Sequence, residues 1–297
     1  MMHLDEGTIH HLEETANNIR ISIIEMLIAA GSGHTAGPLG MADVFTLLYF
    51  NVLKHDPSNP DWPDRDRLIL SNGHICPVLY ATMAHAGYFP VEELQTLRKF
   101  GSRLQGHPHR EALPGLETSS GPLGSGLSQA VGMALAERID NPNSEKYFYC
   151  LMSDGEHDEG QIWEAAMLAG KERLYNLVGI VDRNGIQIDG FTEEVMPLEP
   201  LREKWESFGW HVIDVDGHDF AALHEAVGQA QAVYSKPSVL LAHTIPGKGV
   251  PEFERDFRWH GAPPGKGPED RVPKDKQGEV ALERLRALGD TIRGRHQ

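Results

Sequence analysis

The sequence predicts an α/β fold, doubly wound, with a mostly parallel sheet and helices on both faces. Two observations carry that expectation. Runs such as 147–152, 177–181 and 238–243 are too continuously apolar for strands with one wet face. Helical stretches separate these runs, as the crossovers between parallel strands require. No internal repeat, low-complexity block or Ser/Pro-rich linker divides the 297 residues. One domain over residues 1–297 is therefore expected, with a loop-rich tail from about 246.

Element by element, residues 8–30 place Ile9, Leu12, Ala16, Ile19, Ile23, Met26 and Leu27 at three- and four-residue steps. That spacing predicts an amphipathic helix, ended by Gly31-Ser32-Gly33. A second helix is expected over 41–53, before the polar, proline-rich 54–66. A strand at 67–70 leads into Ser71-Asn72-Gly73-His74 and a helical stretch to Ala86. Residues 102–126, rich in Gly, Pro and His, are too long for a simple connector, and such loops are usually functional. Then come helix 126–139, strand 147–152, helix 160–174, strand 177–181, helix 201–208, strand 210–215, helix 219–234 and strand 238–243. Residues 246–277 read as loop, closed by an amphipathic helix over about 280–292.

Composition excludes several classes. With 40% apolar and 24% charged residues the chain is globular rather than disordered. Its apolar runs stop at five or six residues, too short to span a membrane. Asp5, Glu6, Glu13, Glu14 and Arg20 interrupt the start, so no signal-peptide core is read there. Two cysteines, Cys76 and Cys150, cannot build a disulfide framework, and a cytoplasmic location is expected. The net charge of −16 argues against nucleic acid or an anionic membrane as partner. Phosphates would have to be held locally, against the global field.

In such sheets ligands bind beyond the carboxyl ends of the strands. After strand 147–152 comes Ser153-Asp154-Gly155-Glu156-His157-Asp158-Glu159-Gly160, and after the next strand Asn184-Gly185-Ile186-Gln187-Ile188-Asp189-Gly190. Sequential strands usually neighbour each other, so the two turns should lie side by side. An Asp carboxylate, an Asn amide oxygen and a backbone carbonyl make three hard ligands for an octahedral Mg2+, leaving room for phosphate oxygens. The amides after Asp154 open a helix, which favours a diphosphate. A diphosphate adds about two or three negative charges, and a divalent ion is the local countercharge. Alone, Asp154 would read as a helix cap and Asn184 as a turn former; together they point to a metal site.

At this point the sequence resembles a known family. The Asp154-Gly155…Asn184 element is similar to the thiamine-diphosphate signature, in the version found in transketolases, with Ser153 where that family usually has Gly. The resemblance implies a thiamine-diphosphate-binding fold of the diphosphate-binding type. It implies that Asp154, Asn184 and the Ile186 carbonyl hold the metal, that Gly155 contacts the diphosphate, and that Glu159 links two active sites across a dimer.

Sixteen histidines extend the match. Ser32-Gly33-His34-Thr35-Ala36-Gly37-Pro38 looks like the first transketolase box, with Thr35 where the family usually has Pro. Leu70-Ser71-Asn72-Gly73-His74 looks like the second. Gly106-His107-Pro108 followed by Gly121-Pro122-Leu123-Gly124 looks like the third, and His260-Gly261-Ala262-Pro263 like the fourth. By this resemblance His34 and His260 bond the donor's carbonyl and hydroxyls and assist proton transfer. His74 and His107 line the same site, His74 also near the diphosphate. Gly121, Pro122 and Leu123 form the shelf for the aminopyrimidine ring. For the other twelve histidines a packing or surface role is expected. Gly124-Ser125-Gly126 is a poor dinucleotide fingerprint, because no strand directly precedes it and Gln129 replaces the third glycine.

A full family chain is more than twice this length and carries a second domain, which supplies the glutamate for the aminopyrimidine. The resemblance therefore implies one half of a split transketolase. Its expected partners are a C-terminal subunit with the pyrimidine-binding domain, a second copy of itself within an α2β2 assembly, and sugar substrates. The rival readings are the α chain of a 2-oxo-acid dehydrogenase and a non-catalytic homologue that binds the cofactor. The four histidine boxes argue against the first, which shares the Asp-Gly…Asn element, and the boxes with the retained metal side chains argue against the second.

Overall fold

The computed structural model describes residues 3–295. Its strands are β1 (Arg67–Leu70), β2 (Phe148–Ser153), β3 (Leu177–Arg183), the short pair β4 (Ile186–Gln187) and β5 (Gly190–Phe191), then β6 (His211–Asp216) and β7 (Ser238–His243). The helices are α1 (Glu6–Ala30), α2 (Ala36–Leu47), α3 (Cys76–His85), α4 (Ser125–Asp140), α5 (Gly160–Glu172), α6 (Thr192–Val195), α7 (Leu201–Ser207), α8 (Phe220–Gln231) and α9 (Gln277–Gly294). Five strands form one sheet in the order β1-β2-β3-β7-β6, every pair parallel. β4 and β5 make a separate antiparallel hairpin.

Alternate strand residues feed two cores. Leu70, Tyr149, Leu151, Ile180 and Leu240 pack with α1, α2, α3, α8 and α9 on one face. Ile69, Cys150, Met152, Val181 and Leu241 pack with α4, α5 and α7 on the other. With both faces dry, the strands need continuous apolar sequence, which makes them recognisable. Cys76 and Cys150 are free thiols, both buried. No helix among the described residues is long and apolar enough to cross a membrane.

Local chemistry sets the boundaries. Asp5 caps α1, its carboxylate accepting the Thr8 N–H at 2.7 Å, and Gly31 ends it at φ +57°. α2 starts at Ala36 rather than at the expected 41. Pro38 sits in its first turn, where a missing N–H costs no helical bond. Every residue of α2 is buried, so it shows no amphipathic stripe to mark its start. Its end widens into a π-turn over Leu48–Val52. Residues 97–124 contain no helix or strand, and 246–276 only short 3-10 turns, both near expectation. The β4–β5 hairpin and α6 are additions the sequence did not announce.

The register places Ser153 opposite Asp182 and Arg183 opposite His243, so β2, β3 and β7 finish level. The turns that follow them share one rim of the sheet.

Candidate active site

Four loops bring the histidine boxes to that rim. His34, His74 and His260 form a packed trio, with ring centroids 4.9 Å apart for His34–His74, 5.2 Å for His74–His260 and 5.5 Å for His34–His260. They line a cavity of about 280 Å3 together with His107 at its exposed mouth. Gly121, Leu123, Gly155 and Ile186 complete much of the wall, beside Ser153, Gln187 and Ile188. A larger hollow of about 890 Å3 opens at the amino end of the strands, near Asp66, Tyr147 and Asn176, and holds none of the motif residues.

The positions have identifiable causes. Gly33 adopts φ +129°, and a Cβ there would lie 2.6 Å from Leu27 Cδ2, so the chain can leave α1 toward His34 only with glycine. Thr35 donates its hydroxyl to the Ala262 carbonyl at 2.6 Å, tying the first box to the fourth. This bond gives a use to the threonine that replaces the family's usual proline. His260 follows Trp259, buried and stacked on Phe253 at 3.6 Å. Arg98 donates to Ser32 Oγ at 2.9 Å and to the Gly106 carbonyl at 3.3 Å, joining the first and third boxes. Tyr80 Oη donates to the Gln105 carbonyl at 2.9 Å and steadies the same loop.

Burial pushes His34 down to about 3, helped by the neighbouring His260, Arg98 and His107. It lowers His260 to about 4 and His74 well below the ordinary range. All three are neutral imidazoles near pH 7. His34 Nδ1 and His260 Nδ1 are buried with no protein partner, so ring nitrogens in this cavity remain available to a bound molecule. His157 lies apart from the trio: it is buried against Trp163 and Trp205, its Nδ1 3.0 Å from the Ser153 carbonyl and its Nε2 without a protein partner. That is a packing role, as expected for it.

The two turns meet as the sequence predicts. Asp154 N–H donates to the Asp182 carbonyl at 3.2 Å, and Gly185 N–H donates to Asp154 Oδ2 at 2.7 Å. Oδ1 of Asp154 accepts the Gly155 N–H at 2.8 Å, and Arg183 donates to Oδ2 at 3.2 Å. The carboxylate is fully buried, and burial lifts it to about 6. Asp182 next to it is lifted to about 7 by burial, with Asp154's charge adding to the effect. Asn184 Nδ2 donates to Asp182 Oδ2 at 2.8 Å, which fixes the amide's orientation, while its Oδ1 accepts the Ile186 N–H at 3.0 Å. That oxygen keeps a second lone pair.

A buried carboxylate with its charge so poorly accommodated, an oriented amide oxygen and the Ile186 carbonyl fit a hard divalent ion. No cage of three or more His, Cys, Asp or Glu side chains forms among the described residues, so the ion would depend on this mixed set. Four expected site residues stand outside the cavity wall: Asp154 is buried behind it, Asn184 lines a neighbouring hollow with Arg183 and Gly185, Pro122 is exposed with its carbonyl taking the Ser125 hydroxyl, and Glu159 is exposed at the start of α5. Asp182, Arg183 and Arg98 are supporting residues of the site that motif reading gave no role, and Thr35, noted there only as a departure, is a fourth.

Comparison with known proteins agrees with this geometry. A family described as transketolase, thiamine diphosphate binding domain, matches residues 12–278. The 6-deoxy-6-sulfo-D-fructose transketolase subunit SqwG of Clostridium sp. (strain MSTE9) is 49% identical over 250 residues, covering 84% of this chain and 90% of that protein. One subunit of the apulose-4-phosphate transketolase of Phocaeicola vulgatus is 41% identical, covering 84% and 88%. Transketolase 1 of Escherichia coli is 42% identical, but only 40% of its length is covered. The solved transketolase from Leishmania mexicana superposes with a TM-score of 0.81 at 34% identity, over 96% of this chain and 45% of that one. The chain thus spans nearly all of the two subunits and less than half of the two longer enzymes. It belongs to the transketolase family, as a thiamine diphosphate binding domain.

Proposed function

We propose that this chain is the diphosphate- and Mg2+-binding subunit of a two-chain transketolase, moving a two-carbon ketol unit from a ketose to an aldose. The observation that carries the reading is the trio of neutral histidines closing one cavity whose wall includes Gly155 and Ile186 of the two metal turns. In this reading Asp154, Asn184 and the Ile186 carbonyl hold the ion, and Gly155 supplies a backbone contact to the diphosphate. Gly121, Pro122 and Leu123 support the aminopyrimidine. Thiamine diphosphate, when bound, supplies the carbanion chemistry, and the protein supplies orientation and proton handling. His34 and His260, neutral and desolvated, bond the donor's carbonyl and hydroxyls and move protons there. His74 and His107 orient the sugar.

The glutamate that activates the aminopyrimidine comes from a partner chain in this proposal. Its support is that the relatives of matching length are named as subunits. The working assembly is α2β2 and cytoplasmic, with Glu159 at the contact between copies. Residues 1–297 act as one unit in it. The test mixes the purified chain with a pyrimidine-binding partner, thiamine diphosphate and Mg2+, and scores two-carbon transfer from phosphorylated, sulfonated and neutral ketoses. Transfer should require both polypeptides; strong turnover by this chain alone would refute the split assembly.

A further inference from the structure

We propose that Glu156 is a positioning residue: its buried carboxylate clamps the ring-binding loop 121–126 to the Ser71 box and to the metal turn. The inference rests on the function proposed above. Glu156 is 0% exposed, in the middle of three segments. Its Oε1 accepts the Gly124 N–H at 2.6 Å and the Ser71 hydroxyl at 2.5 Å. Ser71 Oγ in turn accepts the Gly126 N–H at 3.1 Å, so the last amide of the loop and one in the first turn of α4 are fixed through one carboxylate. Oε2 accepts the Ser153 N–H at 2.8 Å, one residue before Asp154.

Among the described residues this carboxylate makes no ion pair; neutral donors alone satisfy it. Space-filling does not need such a group, because a buried charge without a counterion is costly. What it uniquely offers is an acceptor on both oxygens. Glutamine has the same shape, yet either orientation of its amide sets an NH2 against a backbone N–H, at Gly124 or at Ser153. Loop 97–124 has no helix or strand to stiffen it, so such anchors decide where its shelf stands. Gln161, in the first turn of α5, supplies a second anchor by donating to the Leu123 carbonyl at 2.6 Å. Both ends of the Leu123–Gly124 peptide are thus held by adjacent turns of the metal segment. The spacing between ring shelf and ion site is set before any ligand arrives.

The experiment compares the parent chain with Glu156→Gln and Gln161→Leu. Amide exchange at Gly124 and Gly126 is followed without ligand, and binding is titrated with thiamine diphosphate plus Mg2+ and, separately, inorganic diphosphate plus Mg2+. Gly124 should exchange about tenfold faster in Glu156→Gln. Thiamine diphosphate should bind about tenfold more weakly to Glu156→Gln and about threefold more weakly to Gln161→Leu, in line with one lost hydrogen bond each. Inorganic diphosphate, which does not reach the shelf, should change less than about twofold for Gln161→Leu. Unchanged exchange and unchanged thiamine diphosphate affinity would overturn the clamp, as would an equal loss for both ligands in Gln161→Leu. If Glu156→Gln does not fold, Gln161→Leu decides by the same two titrations. If the parent fails to bind thiamine diphosphate even with the pyrimidine-binding partner present, the proposed function falls, while amide exchange still judges the clamp.

Discussion

Replacing Asp154 by asparagine separates the charge of that side chain from its shape. Burial lifts the carboxyl from 3.8 to about 6, so holding it charged at neutral pH costs the folded, ion-free chain roughly 3 kcal/mol. Asparagine removes that cost. It also turns an NH2 toward the Gly155 or the Gly185 N–H, which now bond the two carboxylate oxygens. An unmade buried bond of this kind costs about 1–3 kcal/mol. The two effects nearly cancel, and unfolding free energy should move by no more than about 2 kcal/mol. Ligand binding has no such compensation, because the ion loses its charged ligand. Thermal unfolding with and without thiamine diphosphate and Mg2+ reads both. Ligand at a hundred times its Kd should stabilise the parent by about 2.7 kcal/mol, some 5 °C for a chain of this size. Asp154→Asn should show no shift at the same concentrations, from an unliganded Tm close to the parent's. A parental shift in the variant would mean the ion is held elsewhere. A collapse of the unliganded Tm would make the carboxylate structural.

Three further outcomes are expected. Gly126→Ala would place a Cβ 2.4 Å from Ser71 Cβ and 2.5 Å from its Cα, forcing α4 off the end of β1; urea unfolding should show a loss of about 3 kcal/mol, and a parental midpoint would contradict that packing. His260→Gln should lower turnover of the two-chain enzyme about a hundredfold with calorimetric cofactor affinity nearly intact, whereas equal loss of affinity would reassign it to cofactor binding. The third concerns acid. His34 and His260 sit at about 3 and about 4 when folded and near 6.5 when unfolded, so the unfolded chain binds the extra protons and stability falls as pH drops below 6.5. At pH 5 each contributes roughly 2 kcal/mol of that loss. Asp154 and Asp182, raised when folded, act in the opposite sense and favour the fold below about 6 to 7. The contrast between variants is therefore the readout: chemical denaturation of His34→Gln between pH 7 and pH 5 should lose about 2 kcal/mol less than the parent, and equal losses would refute the burial argument.

Much of this architecture is legible in the sequence, because its causes are periodic or local. β2 and β3 are continuous apolar runs, and a short crossover through α5 leaves the Asp154 and Asn184 turns adjacent. The histidine boxes carry their own glycines. What the letters hide are contacts between residues remote along the chain. Thr35 meets the Ala262 carbonyl 227 residues away, and Ser71 meets Glu156 across 85. Glu156 lies in an acidic stretch with Asp158 and Glu159, both exposed, and nothing in the letters says which acid turns inward. The early start of α2 is hidden for the opposite reason: a helix buried on every side has no periodicity to betray it.

The closeness of the three imidazoles limits what they can do together. Two unit charges about 5 Å apart repel by roughly 3 kcal/mol even at an effective dielectric of about 20. If one ring accepts a proton, its neighbours become still poorer bases, so the trio has a capacity of one. A proton can change rings within the cluster, but a second cannot be stored. In the function proposed above, each transfer to the sugar is therefore balanced by a return before the next begins, and the cluster serves as a shuttle rather than a reservoir.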